Sequence, residues 1–483
     1  MQGVKAGLIG ATIAIAPLTA AQAGICPAQL AGRLDAIATQ PTLQRARVGV
    51  LVQTQGVTAA DRQVLYARDA DQFFIPASNA KLLTTAAALD FLGPAYRIRT
   101  SIYASPQPNG LTTLRVVGRG DPSLTTADLA ELVQPVSQSG LRQISQLIGD
   151  DSYFPGSAVN PNWEWEDVQA GYGAPVNGLI LNGNAMNLSV APQAVGQPLQ
   201  VTWENPLQAN TWRIVNQART VAPGETESVA VGRDLSQPVL YLDGQLVAGS
   251  EAEAVAIAVS SPAQAFLDQL QQLLAAQSIS VGRTTVDLLG SPQLANELAF
   301  HQSPPLSDLL VPTNRDSDNL YAEALLKTVG VNYFPQRSTQ ATEAGIEAVT
   351  SILVNLGMDA SRFSLADGSG LSRHNLVTPS ALVEILQIMA THPQADVYRN
   401  SLAVAGVSGT LRNRLRGTVL EGRLYGKSGA VSGNVALSGY VNVPNYRPLV
   451  VSILINNSNQ RAGTLRQGID QMLLTLAEVQ DCP

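Results

Sequence analysis

The chain of 483 residues carries 30 Lys and Arg against 37 Asp and Glu, a formal net charge of −7, and 45% of its residues are hydrophobic. This length exceeds one ordinary domain and the apolar content suffices for a buried core, so we expect two or three folded units and exclude a disordered chain. The acidic balance, without basic runs interleaved with aromatic residues, argues against nucleic-acid binding.

Residues 1–23 have the pattern of a signal peptide. Lys5 supplies a positive charge, Ala6 to Leu18 form an apolar stretch too short to span a bilayer, and Ala21-Gln22-Ala23 fits a small-residue cleavage site. The alternative is a buried N-terminal helix, which an Ala-rich stretch at the extreme start disfavours. We therefore expect an exported protein in the periplasm or cell-wall space, with no transmembrane segment in its mature form.

The chain has two cysteines, Cys26 and Cys482, one near each end of the predicted mature protein. An exported protein meets oxidising conditions, and an even number of cysteines favours a disulfide between them. Such a bond requires the first ordered segment and the last helix to be adjacent. The alternative is two free thiols at the chain ends.

The predicted elements change in character along the chain. Alternating apolar residues predict strands over 46–54 and 63–68, and an Ala/Leu-rich stretch predicts a helix from Leu82 that ends at Gly93-Pro94. From about 100 to 288 short alternating segments separated by Gly, Pro, Asn and Asp predict a β-rich region. Its predicted strands include 199–203, 212–216 and 239–242, with helices near 127–147 and 261–276.

The last third returns to a compact α/β pattern. Helical periodicity is followed by three apolar strand candidates and an amphipathic terminal helix, which is typical of an α+β domain. The predicted helices lie near 318–330, 340–357, 379–391 and 464–480, and the predicted strands at 423–429, 435–443 and 448–456.

Lysine and histidine usage narrow the choice of catalytic base. Only four of the 30 basic residues are lysine, so a retained lysine suggests an amine that must lose a proton, which a guanidinium does not do. The four lysines are Lys5, Lys81, Lys327 and Lys427. The three histidines, His301, His374 and His392, are scattered without metal-ligand spacing. A zinc site and a Ser-His-Asp triad are therefore not expected, and no metal or other cofactor is predicted.

Three short motifs carry the predicted chemistry. Ser78-x-x-Lys81 places a hydroxyl and an amine on one face of a helical turn, although this spacing is a common accident. The second, Ser317-Asp318-Asn319, is also a good helix cap, and the third, Lys427-Ser428-Gly429, also suits an edge strand protected by a lysine. Together, in this order, they form the Ser-x-x-Lys, Ser-x-Asn and Lys-Thr-Gly set of penicillin-binding proteins and β-lactamases.

On these motifs the chain resembles the D-alanyl-D-alanine carboxypeptidase/endopeptidase family, the class C low-molecular-mass penicillin-binding proteins of peptidase family S13. The wide separation of Ser78 from Ser317 is similar to the family's large insert. Further similar stretches are 118–124, 150–154, 367–375 and 405–441, and the resemblance is weakest across about 190–260.

The resemblance implies an α+β fold, with a β-lactamase/transpeptidase-like domain of antiparallel sheet and flanking helices and a large, partly β-rich insert between the first two motifs. After the signal peptide it implies three units. They are a penicillin-binding D,D-peptidase domain over 24–99 and 288–483, an insert domain II over 100–190 and 261–287, and a nested β-rich domain III over 191–260.

The resemblance also implies a serine peptidase that hydrolyses D-Ala-D-Xaa bonds of peptidoglycan stem peptides and is acylated by β-lactams. Ser78 would form the acyl-enzyme and Lys81 would be its base. Ser317 and Lys427 would pass a proton to the leaving amine, and Asn319 would hold substrate amides.

The remaining implied positions concern the oxyanion and the substrate. The backbone N–H groups of Ser78 and Ala430 would form the oxyanion hole. Ser428 stands where the family usually has Thr and keeps the hydroxyl, next to Gly429, that would bind the substrate carboxylate. Ala430 stands where Thr or Ser is usual and removes one such contact, which we hypothesise shifts the balance towards cross-link cleavage.

The resemblance also implies which residues recognise the substrate side chain. Arg373 and Asp167, with Asp167 preferred over Glu166, would bind a meso-diaminopimelate side chain. Both acids also suit a solvated loop.

Three alternatives stay open at this point. A β-lactamase of the same fold needs a Glu-x-x-x-Asn motif in a short connection, which Glu164 and Glu166 do not match. A non-catalytic cell-wall binding or scaffolding protein is disfavoured by the intact motifs. A simple esterase is the third.

Overall fold

The structure is a computed structural model that describes residues 24–106, 112–205, 212–234, 236–291, 296–336 and 340–482. The predicted signal peptide lies outside the described residues. Among those described, no helix combines the length and the apolar character needed to cross a membrane.

The helices and strands are numbered in chain order. The helices are α1 Pro27–Ala38, α2 Lys81–Leu92, α3 Thr126–Gln138, α4 Pro262–Ala276, α5 Leu306–Asn314, α6 Asn319–Tyr333, α7 Ala341–Asn355, α8 Pro379–Thr391, α9 Ala395–Asn400 and α10 Ala462–Ala477. The strands are β1 Arg47–Thr54, β2 Val64–Arg68, β3 Arg99–Pro106, β4 Thr112–Val117, β5 Gln143–Asp150, β6 Ala185–Ala191, β7 Gln200–Trp203, β8 Arg213–Asn216, β9 Arg219–Val221, β10 Ser228–Arg233, β11 Val239–Val247, β12 Glu253–Ala258, β13 Ser280–Asp287, β14 Asn296–Gln302, β15 Phe363–Ser364, β16 Leu376–Val377, β17 Ala403–Val404, β18 Leu424–Val431, β19 Asn434–Val441 and β20 Leu449–Asn456.

A six-stranded antiparallel sheet of order β17-β18-β19-β20-β1-β2 supports the candidate site. Every residue of β19 and β20 is buried, because helices cover both faces of the sheet. One apolar core joins the sheet to α2, α6, α7 and α8, and a second joins it to α1 and α10. This is the antiparallel sheet with flanking helices that the sequence predicts.

Helix α2 runs through the middle of the first core. Its residues from Lys81 to Leu89 are all buried, which explains why this segment is rich in Ala and Leu rather than amphipathic. A 3₁₀ turn over Ala77–Ala80 leads into it, and Gly93, with φ of 78°, ends it. The predicted helix from Leu82 to Leu92 is therefore confirmed, and Ser78 lies in the 3₁₀ turn that leads into it.

The chain between β2 and α5 contains three further sheets. One has the order β13-β5-β4-β3-β14 and packs against α3 and α4. Strands β12, β6 and β7 form a second sheet, and β8, β9, β10 and β11 form a third, with one apolar core between them. The predicted strands at 199–203, 212–216 and 239–242 correspond to β7, β8 and β11.

Two details of this region differ from the sequence prediction. The helix predicted near 127–147 is wrong beyond Gln138, because Gly140, with φ of 85°, breaks it. Residues 143–150 instead pair in parallel with both β4 and β13 as β5. Strand β14, which the boundary at 288 placed in the peptidase domain, pairs with β3 of the insert sheet. The three-unit division stays a proposal, and this pairing favours an insert that ends near Gln302.

The two ends of the described chain lie together. Cys26 and Cys482 form a disulfide with a Cα–Cα distance of 5.6 Å. Beside it the backbone N–H of Ile25 donates to the carbonyl of Glu478 at 2.9 Å, and that of Gln480 donates to the carbonyl of Ile25 at 3.1 Å. The first helix is thereby attached to the last.

Candidate active site

Ser78 lies at the start of the central helix, in a turn that holds its backbone in a defined position. The residue before it, Ala77, has a φ of 46°, a conformation that costs free energy for a residue with a Cβ. The turn brings Lys81 to the same side, and its Nζ donates to Ser78 Oγ at 3.1 Å. An amine thus touches the hydroxyl, as the Ser-x-x-Lys spacing predicts.

The side chain of Lys81 is fully buried and has two further acceptors. Its Nζ donates to Asn319 Oδ1 and to the carbonyl of Ser369, both at 2.6 Å. Burial lowers the pKa of Lys81 to about 8, although the carboxyl groups of Asp367 and Glu323 act in the opposite direction. A substantial neutral fraction is therefore available near pH 8, as a general base requires.

The second motif lies where α6 begins, and its members have different functions in the structure. Asp318 caps the helix, accepting from the backbone N–H of Tyr321 at 3.1 Å. Asn319 contacts Lys81 through Oδ1 and donates through Nδ2 to the carbonyl of Tyr172 at 2.9 Å. Ser317 has a φ of 68° and lines the same cavity as Ser78. The helix-cap interpretation is therefore right for Asp318, whereas its two neighbours face the site.

Lys427 approaches Ser317 from strand β18. Its Nζ donates to Ser317 Oγ at 2.7 Å and to the carbonyl of Ser428 at 2.8 Å. The side chain is fully buried, and burial together with the charge of Lys81 holds the pKa of Lys427 well below its usual value. This burial excludes the alternative of a solvated lysine that protects a sheet edge.

Two glycines allow the walls of the site to approach the Ser78 turn. A Cβ on Gly429 would lie 2.8 Å from the backbone N of Ser78 and 3.0 Å from Ala77 Cβ. Gly370 has a φ of 79°, and a Cβ there would lie 1.9 Å from the carbonyl oxygen of Ala77. Gly429 was predicted from the motif, whereas Gly370 was not assigned a role from the sequence.

The loop 366–375 is held by two buried carboxylates. Glu323 Oε1 accepts from the backbone N–H groups of Gly368 at 2.9 Å and Ser369 at 2.7 Å, which fixes the carbonyl that Lys81 contacts. Asp367 accepts from two backbone N–H groups of its own loop, from Asn375 Nδ2 and from Trp163 Nε1 of the insert. Sequence reasoning noted the loop but assigned no function to either carboxylate.

Arg373 and Asp167, the residues predicted to bind the substrate side chain, form an ion-paired cluster with Glu164. Arg373 Nη1 lies 3.0 Å from Asp167 Oδ2, and Arg373 Nε lies 2.9 Å from Glu164 Oε1. Tyr172 OH donates to Asp167 Oδ1 at 3.2 Å. The insert thus supplies the acids and the loop supplies the guanidinium; Glu166 lines the same cavity.

Comparisons with known proteins agree with this geometry. Residues 30–478 match the family described as the D-Ala-D-Ala carboxypeptidase 3 (S13) family. The chain belongs to this family. Membership confirms the family, the fold class and the type of enzyme, a serine-type D-Ala-D-Ala carboxypeptidase, that the sequence predicts.

Two relatives of this S13 member illustrate the similarity. It is 34% identical over 489 residues to the D-alanyl-D-alanine carboxypeptidase of Actinomadura sp. (strain R39), covering 98% of this chain and 88% of the relative. The crystal structure of penicillin binding protein 4 from Haemophilus influenzae is 25% identical, with a TM-score of 0.77, covering 92% of this chain and 98% of that one. The same protein has been solved in complex with a β-lactam, and that structure gives a TM-score of 0.72.

Two cavities of this S13 member meet at Ser78. The first, of 620 Å³, is lined by Asn319, Asp167 and Arg373, and the second, of 590 Å³, by Ser428 and residues of α10. Ser78, Ser317 and Ala430 line both. Within the described residues no group of three or more His, Cys, Asp or Glu side chains is arranged to hold a metal ion.

Proposed function

We propose that this protein hydrolyses D-Ala-D-Xaa bonds of peptidoglycan stem peptides through an acyl-enzyme on Ser78, as a penicillin-sensitive carboxypeptidase and endopeptidase. The observation that carries the proposal is the position of two buried lysines. Lys81 Nζ contacts the Ser78 hydroxyl, and Lys427 Nζ contacts Ser317, which lines the same cavity.

Acylation begins when Lys81 takes the hydroxyl proton of Ser78 and Oγ attacks the substrate carbonyl. The lowered pKa of Lys81 supports this role, because a neutral amine is needed to accept a proton. Asn319 orients Lys81 through Oδ1 and holds the amide groups of the substrate. The developing oxyanion is bound by the backbone N–H groups of Ser78 and Ala430. Donors of this kind provide about 3–4 kcal/mol of transition-state stabilisation each.

Collapse of the tetrahedral intermediate requires a proton for the leaving amine. The Ser317 hydroxyl, bonded to Lys427, passes it on as the C–N bond breaks. Ser428 Oγ binds the carboxylate of the leaving residue, and in the free protein it donates to Thr410 Oγ1 at 2.8 Å. Water then cleaves the ester to Ser78 and restores the enzyme.

Arg373 and Asp167 bind the side chain of the acyl donor. A meso-diaminopimelate residue ends in an ammonium and a carboxylate, and a carboxylate beside a guanidinium complements that pair. The cluster opens on the same cavity as Ser78, which supports this assignment. The substrate lies in the cell wall, so the protein acts after export to the periplasm or cell-wall space, with residues 1–23 as its signal peptide.

The test is covalent labelling with a fluorescent penicillin, followed by mass spectrometry of the modified peptide. We expect one adduct on Ser78, no adduct in Ser78→Ala, and normal labelling of Ser351→Ala, a control on the exposed face of α7. Rapid release of the adduct with hydrolysed β-lactam would instead indicate a β-lactamase. Labelling of Ser78→Ala at the wild-type rate would overturn the assignment of the nucleophile.

A further inference from the structure

The second cavity at Ser78 extends away from the Arg373 cluster towards the last helix. Strand β18 contributes Ser428, the segment after β17 contributes Thr410 and Arg414, and helix α10 contributes Arg466 and Asp470. None of the motifs assigned from the sequence accounts for the helix α10 side of this wall.

Its position relative to Ser78 indicates which half of a substrate it receives. Both cavities reach Ser78, so a peptide bond held at its Oγ places one half of the substrate in each. The proposed function places the acyl half beside Asn319 and Arg373, in the first cavity. The second cavity contains Ser428, the proposed carboxylate contact of the leaving residue, and therefore receives the leaving half.

The size of the cavity exceeds what a leaving D-alanine needs. Its volume of 590 Å³ lies in the range of about 300–1,000 Å³ that holds drug-sized ligands. A single alanine fills only the part next to Ser428. The remaining space extends along α10 and suits a leaving group that continues as a peptide.

The charge of the wall favours an anion. Arg414 is neutralised by Asp470, with its Nη2 at 2.6 Å and its Nε at 3.2 Å from Oδ1. Arg466 lies one turn before Asp470 on the same helix, and within the part of the chain that the structure describes it has no ion pair. Arg466 is therefore the uncompensated cation of this wall, although the chain as a whole carries a net charge of −7.

We propose that this cavity binds the leaving stem peptide during cross-link cleavage, and that Arg466 contacts the C-terminal carboxylate of that peptide. The inference rests on the proposed function and names the substrate that the site selects. In the reaction the Ser78 Oγ–C bond forms, the C–N bond to the leaving stem breaks, and the freed amine takes a proton. Arg466 is a specificity-determining residue and takes no part in the chemistry.

The experiment compares Arg466→Ala with wild type on three substrates: a free pentapeptide, a cross-linked dimer, and the same dimer with its leaving stem ending in a carboxamide. We expect kcat/KM for the dimer to fall about tenfold, the size of a lost hydrogen bond between charged groups. Hydrolysis of the pentapeptide and penicillin labelling stay within about twofold. The carboxamide dimer is cleaved equally by both proteins, because it lacks the carboxylate.

The matched control is Arg461→Ala, an exposed arginine at the start of the same helix that does not line the cavity. An equal loss in this control, or an equal loss on the pentapeptide, would show general attraction to an acidic polymer and overturn the inference. Unchanged cleavage of the dimer by Arg466→Ala would overturn it as well. Failure of the proposed function has a separate signature, since the wild type would then neither label with penicillin nor hydrolyse the pentapeptide.

Discussion

Two buried lysines are associated with helix α6. Lys81 contacts the start of the helix, Lys327 belongs to the helix itself, and their amines have different partners. Lys81 meets the start of the helix at Asn319 and also touches Ser78 Oγ. Lys327, two turns later, donates to the carbonyls of Ser157 and Val176 of the insert. Burial lowers the pKa of each amine to about 8.

The comparison teaches that burial and a lowered pKa do not by themselves identify a catalytic base. Lys81 has a hydroxyl within reach, whereas the hydrogen bonds of Lys327 end on backbone carbonyls, with the Phe154 ring 5.9 Å away. The amine of Lys327 attaches the insert to α6. The insert also reaches the site at Tyr172, whose carbonyl accepts from Asn319.

The largest effect should separate Lys81→Met from Lys327→Met. Removing the base at Lys81 should slow acylation by penicillin about 10²- to 10⁴-fold. Lys327→Met should keep the acylation rate within a few-fold but lower the free energy of unfolding by about 1–3 kcal/mol, because two buried carbonyls lose their donor. Stopped-flow labelling and thermal melting measure the two quantities.

The opposite result would contradict the assignment of Lys81 as the base and Lys327 as a structural residue. If Lys327→Met remained folded yet lost acylation as completely as Lys81→Met, burial would matter more than contact with the hydroxyl, and Lys327 would belong to the catalytic machinery. Circular dichroism of both variants guards against misreading an unfolded protein as an inactive one.

The pH dependence of acylation should be the next largest effect. The pKa of Lys81 is lowered to about 8, and only the neutral amine accepts a proton. The rate should therefore rise about tenfold per pH unit below this pKa and level off above it. The rate constant for penicillin labelling is measured between about pH 5.5 and pH 9.5, and the rising part of this pH profile is called the limb below. A rate that is flat across this range would contradict Lys81 as the titrating base.

The sequence predicts the fold and the motif residues well for a physical reason. Each motif is local, so Ser78 and Lys81 meet within one helical turn, and the apolar strands β19 and β20 are identified by their own composition. The small number of lysines also drew attention to Lys81 and Lys427, two of the three buried lysines, as candidate catalytic residues. It did not distinguish Lys327, which is buried like the other two but donates to backbone carbonyls.

The parts that were not predicted depend on contacts between distant segments. Trp163 reaches Asp367 across 204 residues, and Glu323 reaches the amides of Gly368 and Ser369 across 45 and 46 residues. Glu323 stands in an ordinary helical pattern, so its burial is not apparent before the loop is placed over it. Likewise residues 143–147, the first part of β5, were predicted as helix, because the pairing with β4 and β13 is not visible in the local sequence.

The smallest effect concerns Glu323, which interacts with both lysines and raises the pKa of each. Glu323→Gln keeps an acceptor for Gly368 and Ser369 but removes the charge, so the pKa of Lys81 should fall and the limb should move to lower pH. Burial beside Asp367 raises the pKa of Glu323 itself, so its carboxyl carries only part of its charge while Lys81 titrates. The shift should therefore be less than about one pH unit.

Glu343→Gln is the matched control, because Glu343 raises the pKa of Lys327 and does not act on Lys81. It should leave the limb where the wild type has it. Glu323→Ala, which removes the acceptor shared by Gly368 and Ser369, should instead slow acylation at every pH, because the Ser369 carbonyl is no longer held against Lys81. A limb that moved equally in Glu323→Gln and Glu343→Gln would mean that Lys81 and Lys327 titrate as one coupled pair. The two ends of α6 would then have to be treated as a single electrostatic unit.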